Sequence, residues 1–232
     1  MTILSACQSA AVRLIGRKPN TIFSSQKKFE MQIADLVQEA AVDIAKAFDW
    51  QALMVIAQHQ GDGTKTAFDF PQGFDRMPIK GNVHSATWQQ SGYAPARDRD
   101  HWINLQTYST AGAPGFWIVL DGQMQIYPPM GPSEVAKYYF VTNEIARDKD
   151  GVSKAQIDKD DDVFKLDERL LTLALIWRYR DLIGLDYAEA MENYERALAQ
   201  VGGADKGKRI LAEGRGRLPY DAVYAFPGVI IP

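Results

Sequence analysis

Phe116-Trp117-Ile118-Val119-Leu120-Asp121-Gly122-Gln123-Met124-Gln125-Ile126-Tyr127 is the stretch whose reading decides the fold. Two runs rich in β-branched and aromatic residues flank an Asp-Gly pair. Asp-Gly favours the two-residue type I′ turn, in which both central residues take positive φ, so the stretch predicts a β-hairpin. Met124 and Ile126 alternate with Gln123, Gln125 and Tyr127, which predicts one covered face and one wetter face. Pro128-Pro129 and Gly131-Pro132 then end the second strand, because proline cannot donate to a ladder.

Working outward, an aromatic-rich strand is expected at residues 135–141. Upstream, Leu53-Met54-Val55-Ile56, Gly61-Asp62-Gly63 and Thr66-Ala67-Phe68-Asp69-Phe70 read as strand, turn and strand. The polar stretch 91–115 is expected to hold weaker strands around Trp102 and Leu105. Five or six short antiparallel strands over residues 50–142 predict a compact sandwich or small barrel.

Helix is expected on both sides of this β region. Ile3, Ala6, Cys7, Ala10, Ala11 and Leu14 form one stripe, closed by Gly16 and Pro19. After Ser24-Ser25, a long helix runs to about Phe48, with Phe29, Ile33, Leu36, Val37, Ala40 and Ile44 on one face. Helix returns at Asp167, with Leu170, Leu171, Leu173, Ala174, Ile176, Trp177 and Leu182 apolar and Gly184 as its C′ residue. Asp186 with Glu189 opens a last helix to Gly202-Gly203 in a capping-box arrangement, with a possible extension through Leu211. The expected class is α+β: a helical bundle from residues 1–49 and 163–211, with an antiparallel β-sandwich or barrel inserted at 50–142. Residues 143–162 read as a charged, turn-like acidic linker; the wider stretch 143–168 carries nine acidic against five basic side chains.

The chain has 232 residues, 46% apolar and 24% charged, with a net charge of −3. These values exclude wholesale disorder and argue against affinity for nucleic acid resting on a global excess of Lys and Arg. One cysteine, Cys7, allows no intrachain disulfide. Leu4-Ser5-Ala6-Cys7 is similar to a lipoprotein cleavage box, but the six residues before Cys7 include no base and no long apolar run. Cys7 is therefore expected on a helix face, as a small inert residue. No run approaches the roughly 20 apolar residues of a spanning helix, so a cytosolic or assembly-bound protein without membrane contact is expected.

Chemistry-bearing constellations are sparse. His59, His84 and His101 lack the spacing that places two imidazoles on one metal, and no Ser-nucleophile, P-loop or dinucleotide motif occurs. Asp148-Lys149-Asp150-Gly151 fits part of a calcium loop, but Ala146 and Ile157 stand where ligands are needed. Asp160-Asp161-Asp162 reads as a solvated, mutually repelling turn. No cofactor, metal or catalytic residue is expected. Trp50, Trp88, Trp102 and Trp117 form core or interface, or alternatively a stacking platform for a glycan.

The last twenty residues differ from the rest. Residues 213–217 alternate Gly and Arg, and Leu218, Tyr220, Tyr224, Phe226, Val229, Ile230 and Ile231 follow among Pro219, Pro227, Gly228 and Pro232. Too apolar for a solvated tail and too broken for a helix, residues 212–232 are expected to be an extended arm that docks onto its own domain or into a partner.

In order and texture the chain resembles the head-to-tail adaptor (connector) proteins of short-tailed phages and related tailed phages. The resemblance rests on the long helix ending in Phe48-Asp49-Trp50, the strand-Gly-strand-Pro-Pro element from Phe116 to Pro129, and the strand Ala136-Lys137-Tyr138-Tyr139-Phe140. Asp160-Asp161-Asp162-Val163-Phe164, the helix around Leu170 to Arg180, and Gly184-Leu185-Asp186-Tyr187 extend it.

That resemblance implies a structural virion protein, not an enzyme. It implies a homo-oligomeric ring of about 12 subunits (a dodecamer), bound beneath the portal protein in the neck between capsid and tail. Such a ring is assembled in the host cytoplasm, extends the DNA channel for ejection, and presents a docking surface for a tail or nozzle protein. Genomic DNA would pass its lumen without specific binding, which a mildly acidic wall favours. The arm would then dock the portal through Leu218, Tyr220, Tyr224, Phe226, Val229, Ile230 and Ile231. Two alternatives from other classes are a ligand- or glycan-binding β domain on a helical scaffold, and a hydrolase using Asp or Glu with His101.

Overall fold

The hairpin forms as expected: β6 (Phe116–Leu120) and β7 (Gln123–Tyr127) pair from Phe116 with Tyr127 to Leu120 with Gln123. Asp121 and Gly122 take φ of 52° and 71°, the two positive values that a type I′ turn needs. Met124 and Ile126 are fully buried while Gln123, Gln125 and Tyr127 stay half-covered, so the alternation in the sequence is the alternation of faces. This computed structural model describes residues 2–87, 92–108 and 115–205.

Around the hairpin stand β1 (Met54–Gln60), β2 (Ala67–Asp69), β3 (Phe74–Arg76), β4 (Val83–Ser85), β5 (Gly92–Pro95) and β8 (Val135–Thr142). The strand order is β1-β8-β4-β5-β6-β7-β2, and β3 also pairs with β8. The two ends of this order meet: His59 of β1 stacks on Phe68 of β2 with ring centroids 5.0 Å apart. The sheet is therefore nearly closed, around Phe68, Val83, Tyr93, Met124, Ile126 and Tyr138. One pair departs from the antiparallel expectation, since β5 and β6 run parallel. A parallel pair needs a crossover, and α3 (Arg99–Tyr108) supplies it. Residues 102–105, expected as strand, are thus helix. Asp98 accepts from the His101 amide (2.7 Å), and Trp102 and Leu105, three apart, share the buried side.

Helices α1 (Ile3–Ile15), α2 (Lys28–Ala47), α4 (Glu168–Leu182) and α5 (Ala188–Asp205) come from both ends of the chain and share one core. α4 touches all three others. The α1 stripe is small (Ala6, Cys7, Ala10, Ala11, all fully buried), which lets α4 approach closely with Leu170, Leu171, Ala174 and Leu175. Each fully buried Ile or Leu here contributes about 1.5–3 kcal/mol over leaving it exposed. Asp167 caps α4 by accepting from the Leu170 amide (3.0 Å), and Gly184 (φ 71°) ends it. Asp186 likewise accepts from Ala188 at the start of α5 (3.1 Å). α2 begins at Lys28, three residues beyond the Ser24-Ser25 signal, and no side chain caps it. Arg178 of α4 donates to Glu39 and Asp43 of α2 and lies over the Trp177 ring. α5 runs through Gly202 and Gly203 to Asp205.

The segment expected as an acidic linker is folded into this helical core. β9 (Ala146–Arg147), β10 (Ser153–Lys154) and β11 (Val163–Phe164) make a second sheet, and Ile145, Ala146, Ile157 and Phe164 are buried with the helices. Asp148-Lys149-Asp150-Gly151 is the β9–β10 turn, where the Asp148 carboxylate accepts from the Asp150 and Val152 amides (2.9 and 2.8 Å).

Candidate functional site

Two features of the described surface could serve a partner: a groove and an apolar corner. The groove begins where α2 ends. Phe48 and Asp49 follow the helix, and Trp50 turns back into the core, its Nε1 donating to the Ile44 carbonyl (2.7 Å). Asp49 is thereby fixed. Its Oδ1 accepts from Arg76 Nε and Nη2 (3.3 and 3.2 Å), and its Oδ2 accepts from the Ile79 amide (2.9 Å). Arg76 Nη2 also donates to the Phe48 carbonyl (2.9 Å). Residues 78–81 close in a turn, with the Gly81 amide on the Pro78 carbonyl (2.8 Å).

The result is a turn held by a charged network that presents Ile79, 90% exposed. The groove of about 920 Å³ beside it has Phe48, Met54, Ile79 and Tyr139 as its apolar lining and Lys46 and Lys80 among its cations. Holding an isoleucine rigid in water keeps its apolar surface unburied, which is what a docking knob requires. The pattern that could have revealed it is the apolar residue inside Pro78-Ile79-Lys80-Gly81, a turn otherwise built of turn formers and a charge.

On the outer face of the sheet, Ile56 pairs directly with Tyr139, and they are 61% and 50% exposed. The apolar corner lies where α4 passes to α5. Leu182, Ile183, Leu185 and Tyr187 are all exposed there, within six residues. Scattered exposed apolar side chains are ordinary, but a run of this kind at one turn is a candidate interaction surface.

The titratable groups serve the fold. Asp162 is fully buried, and its carboxylate accepts from Lys154 Nζ (2.8 and 3.0 Å) and from the Asp158 and Lys159 amides (3.0 Å each). Asp160 accepts from Thr21 and from the Ile22 and Phe23 amides (2.9 and 3.3 Å). Two of the three consecutive aspartates are therefore structural clamps, correcting the expectation of a solvated turn; only Asp161 is exposed. Burial pushes the Cys7 thiol up to about 12, so it stays a protonated, unreactive core residue as expected. Burial, then Lys65, pushes His59 down to about 4, and its Nε2 shares a hydrogen bond with the Tyr138 hydroxyl (2.8 Å).

His59, His84 and His101 lie on β1, β4 and α3, and among the described residues no group of three His, Cys, Asp or Glu could hold a metal ion. Trp50, Trp102 and Trp117 are buried, so the glycan platform loses these members, while Trp88 lies outside the described residues. Leu218, Tyr220, Tyr224, Phe226, Val229, Ile230 and Ile231 also lie outside them. No described helix is long and apolar enough to cross a membrane.

A helical core is thus laced to a nearly closed sheet, with Asp49, Asp160 and Asp162 clamping segments together and a few apolar residues exposed at a turn and a corner. The chain belongs to the SU10 adaptor protein family, whose model matches residues 1–217; it is a structural phage adaptor, of a family not known for enzymes. No curated protein matches the chain.

Proposed function

We propose that this phage adaptor acts as a head-to-tail adaptor in the virion neck. Copies form a ring, of about 12 subunits by analogy with other tailed-phage adaptors, that binds beneath the portal protein, extends the DNA channel and offers the tail or nozzle protein its docking surface. The observation that carries the reading is the adaptor-family match over residues 1–217 together with the exposed corner Leu182, Ile183, Leu185 and Tyr187. A ring is closed by heterologous contacts, in which one patch of each copy meets a different patch of the next. The corner supplies such a patch at the turn between α4 and α5. A net charge of −3 suits a wall past which DNA slides without being gripped.

As assembly units, residues 1–49 with the described part of 163–211 form the helical body, 50–142 the β insertion, 143–162 the acidic connection and 212–232 the arm. The arm docks the portal through Leu218, Tyr220, Tyr224, Phe226, Val229, Ile230 and Ile231. Deleting residues 218–232 tests this assignment. Portal pull-down should be lost while the far-ultraviolet circular dichroism is unchanged; undiminished binding would remove the arm from the account.

A further inference from the structure

We propose that, in the free subunit, residues 218–232 lie in the groove of their own chain, against Phe48, Ile79 and Tyr139. Three observations converge on this occupant. The first is where the described chain ends. Asp205, the last described residue before this segment, accepts from the Gln51 amide (2.9 Å), and its carbonyl accepts from Gln51 Nε2. Gln51 itself lines the groove, so the following segment starts at the groove's own wall.

The second is length and tethering. Twelve residues, 206–217, separate that anchor from Leu218. Extended, they reach roughly 40 Å, ample for any part of a groove that begins at the anchor. A tether of this length holds its cargo at an effective concentration of order millimolar, far above that of a second copy at micromolar protein. In an isolated subunit the chain's own segment therefore outcompetes other occupants of equal affinity.

The third is chemical fit. Residues 218–232 carry no cation and one acid, Asp221, whereas residues 206–217 carry Lys206, Lys208, Arg209, Arg215 and Arg217. An apolar, slightly acidic segment matches a groove lined by Phe48, Ile79 and Tyr139 and rimmed by Lys46 and Lys80. The basic stretch before it matches poorly, so it acts as the tether. The Ile79 knob is held in place by Asp49 before anything binds, so little ordering cost falls on the groove. The family match ends at residue 217, so the assignment to adaptors does not itself describe this segment. The inference rests on the arm being a docking segment, not on the portal being its partner: the groove stores the arm until a partner takes it.

A benzophenone side chain placed at position 226 of the full-length protein tests this, with light and heavy isotopic copies mixed and the monomer fraction irradiated. The expected result is cross-links to residues 46–54 or 76–81 within one copy, reduced at least tenfold by Ile79→Asp and unchanged by Ile103→Asp. Both isoleucines are largely exposed, so neither change threatens the fold. Absence of cross-links, cross-links elsewhere in the chain, persistence in Ile79→Asp, or light–heavy pairs would each overturn the inference. No portal is present in the experiment, so a negative result leaves the portal pull-down to be judged separately.

Discussion

Lys154 Nζ lies 2.8 Å from the carboxylate of Asp162, a residue with no solvent exposure, in a segment that reads as a loose acidic connection. Burial works against the charge on Lys154, but hydrogen bonds to Asp158 and Asp162 outweigh it and hold the ammonium above its ordinary range. The Asp162 carbonyl in turn accepts from the Ile3 amide (2.7 Å), at the open N-terminus of α1. This pair therefore fastens residues 153–162 to the first helix. Removing the Asp162 carboxylate leaves the Asp158 and Lys159 amides without their acceptor, whereas Lys154 keeps Asp158. Asp162→Ala is expected to lower unfolding free energy by about 2 kcal/mol, and the exposed Asp161→Ala by less than about 0.5 kcal/mol. Urea denaturation separates the two; equal effects would mean that the clamp is not at Asp162.

The stacked His59 gives the β region a pH dependence of known sign. Its proton affinity is depressed in the folded state, to about 4 against an unfolded value near 6.5, so the unfolded chain binds more protons between these values. The stability from neutral His59 is fully present above about pH 6.5 and is lost as pH falls toward 4. Allowing for partial solvent contact, the loss between pH 7.5 and 5 is about 1 kcal/mol. His59→Phe, which keeps a ring against Phe68, is expected to remove that part of the slope. An unchanged difference in urea midpoints between pH 7.5 and 5 would contradict it.

Adjacent glycines on α5 should respond in opposite directions. A Cβ on Gly202 would stand 2.3 Å from the Phe48 ring, whereas one on Gly203 meets open space. Gly203→Ala is expected to stabilise by about 0.5–1 kcal/mol through helix propensity. Gly202→Ala is expected to cost about 1–2 kcal/mol net, because Phe48 must shift from its edge-on contact with Trp50. Thermal unfolding of the two variants side by side is the check.

Ring closure should depend on the corner after α4. Leu185 is 56% exposed, so Leu185→Asp leaves the subunit's melting temperature within about 2 °C while lowering self-association at least tenfold. Sedimentation velocity across a concentration series reads this directly. An unchanged association constant would move the ring contact elsewhere.

Much of this architecture was legible in the residues, and the reasons are local. Asp121-Gly122 specifies its turn by itself, and α1, α4 and α5 carry apolar stripes with capping or terminating residues at their ends. What escaped depends on residues far apart in the chain. Trp102 and Leu105 read as strand because their region is polar and weakly periodic, and only the parallel pairing of β5 with β6 requires a crossover there. Asp160 reads as solvated because its partners, Thr21 to Phe23, lie about 140 positions away; Asp162 finds its side-chain partners locally, at Lys154, Asp158 and Lys159, and only its carbonyl reaches the distant Ile3. The groove joins Asp49 after α2, Arg76 of β3, Ile79 of the turn 78–81 and Tyr139 of β8, and no window of sequence contains them together. The tryptophans show the converse: the core reading follows from their size alone, and three of them are buried.

The central claim, that this adaptor forms a ring beneath a portal, is tested most directly by electron microscopy of the purified full-length protein mixed with the portal protein of its own phage. The account predicts class averages in which the portal gains a coaxial ring of added density with an open central channel. Portal particles identical to those without the adaptor, with this chain remaining a free monomer at micromolar concentration, would contradict it.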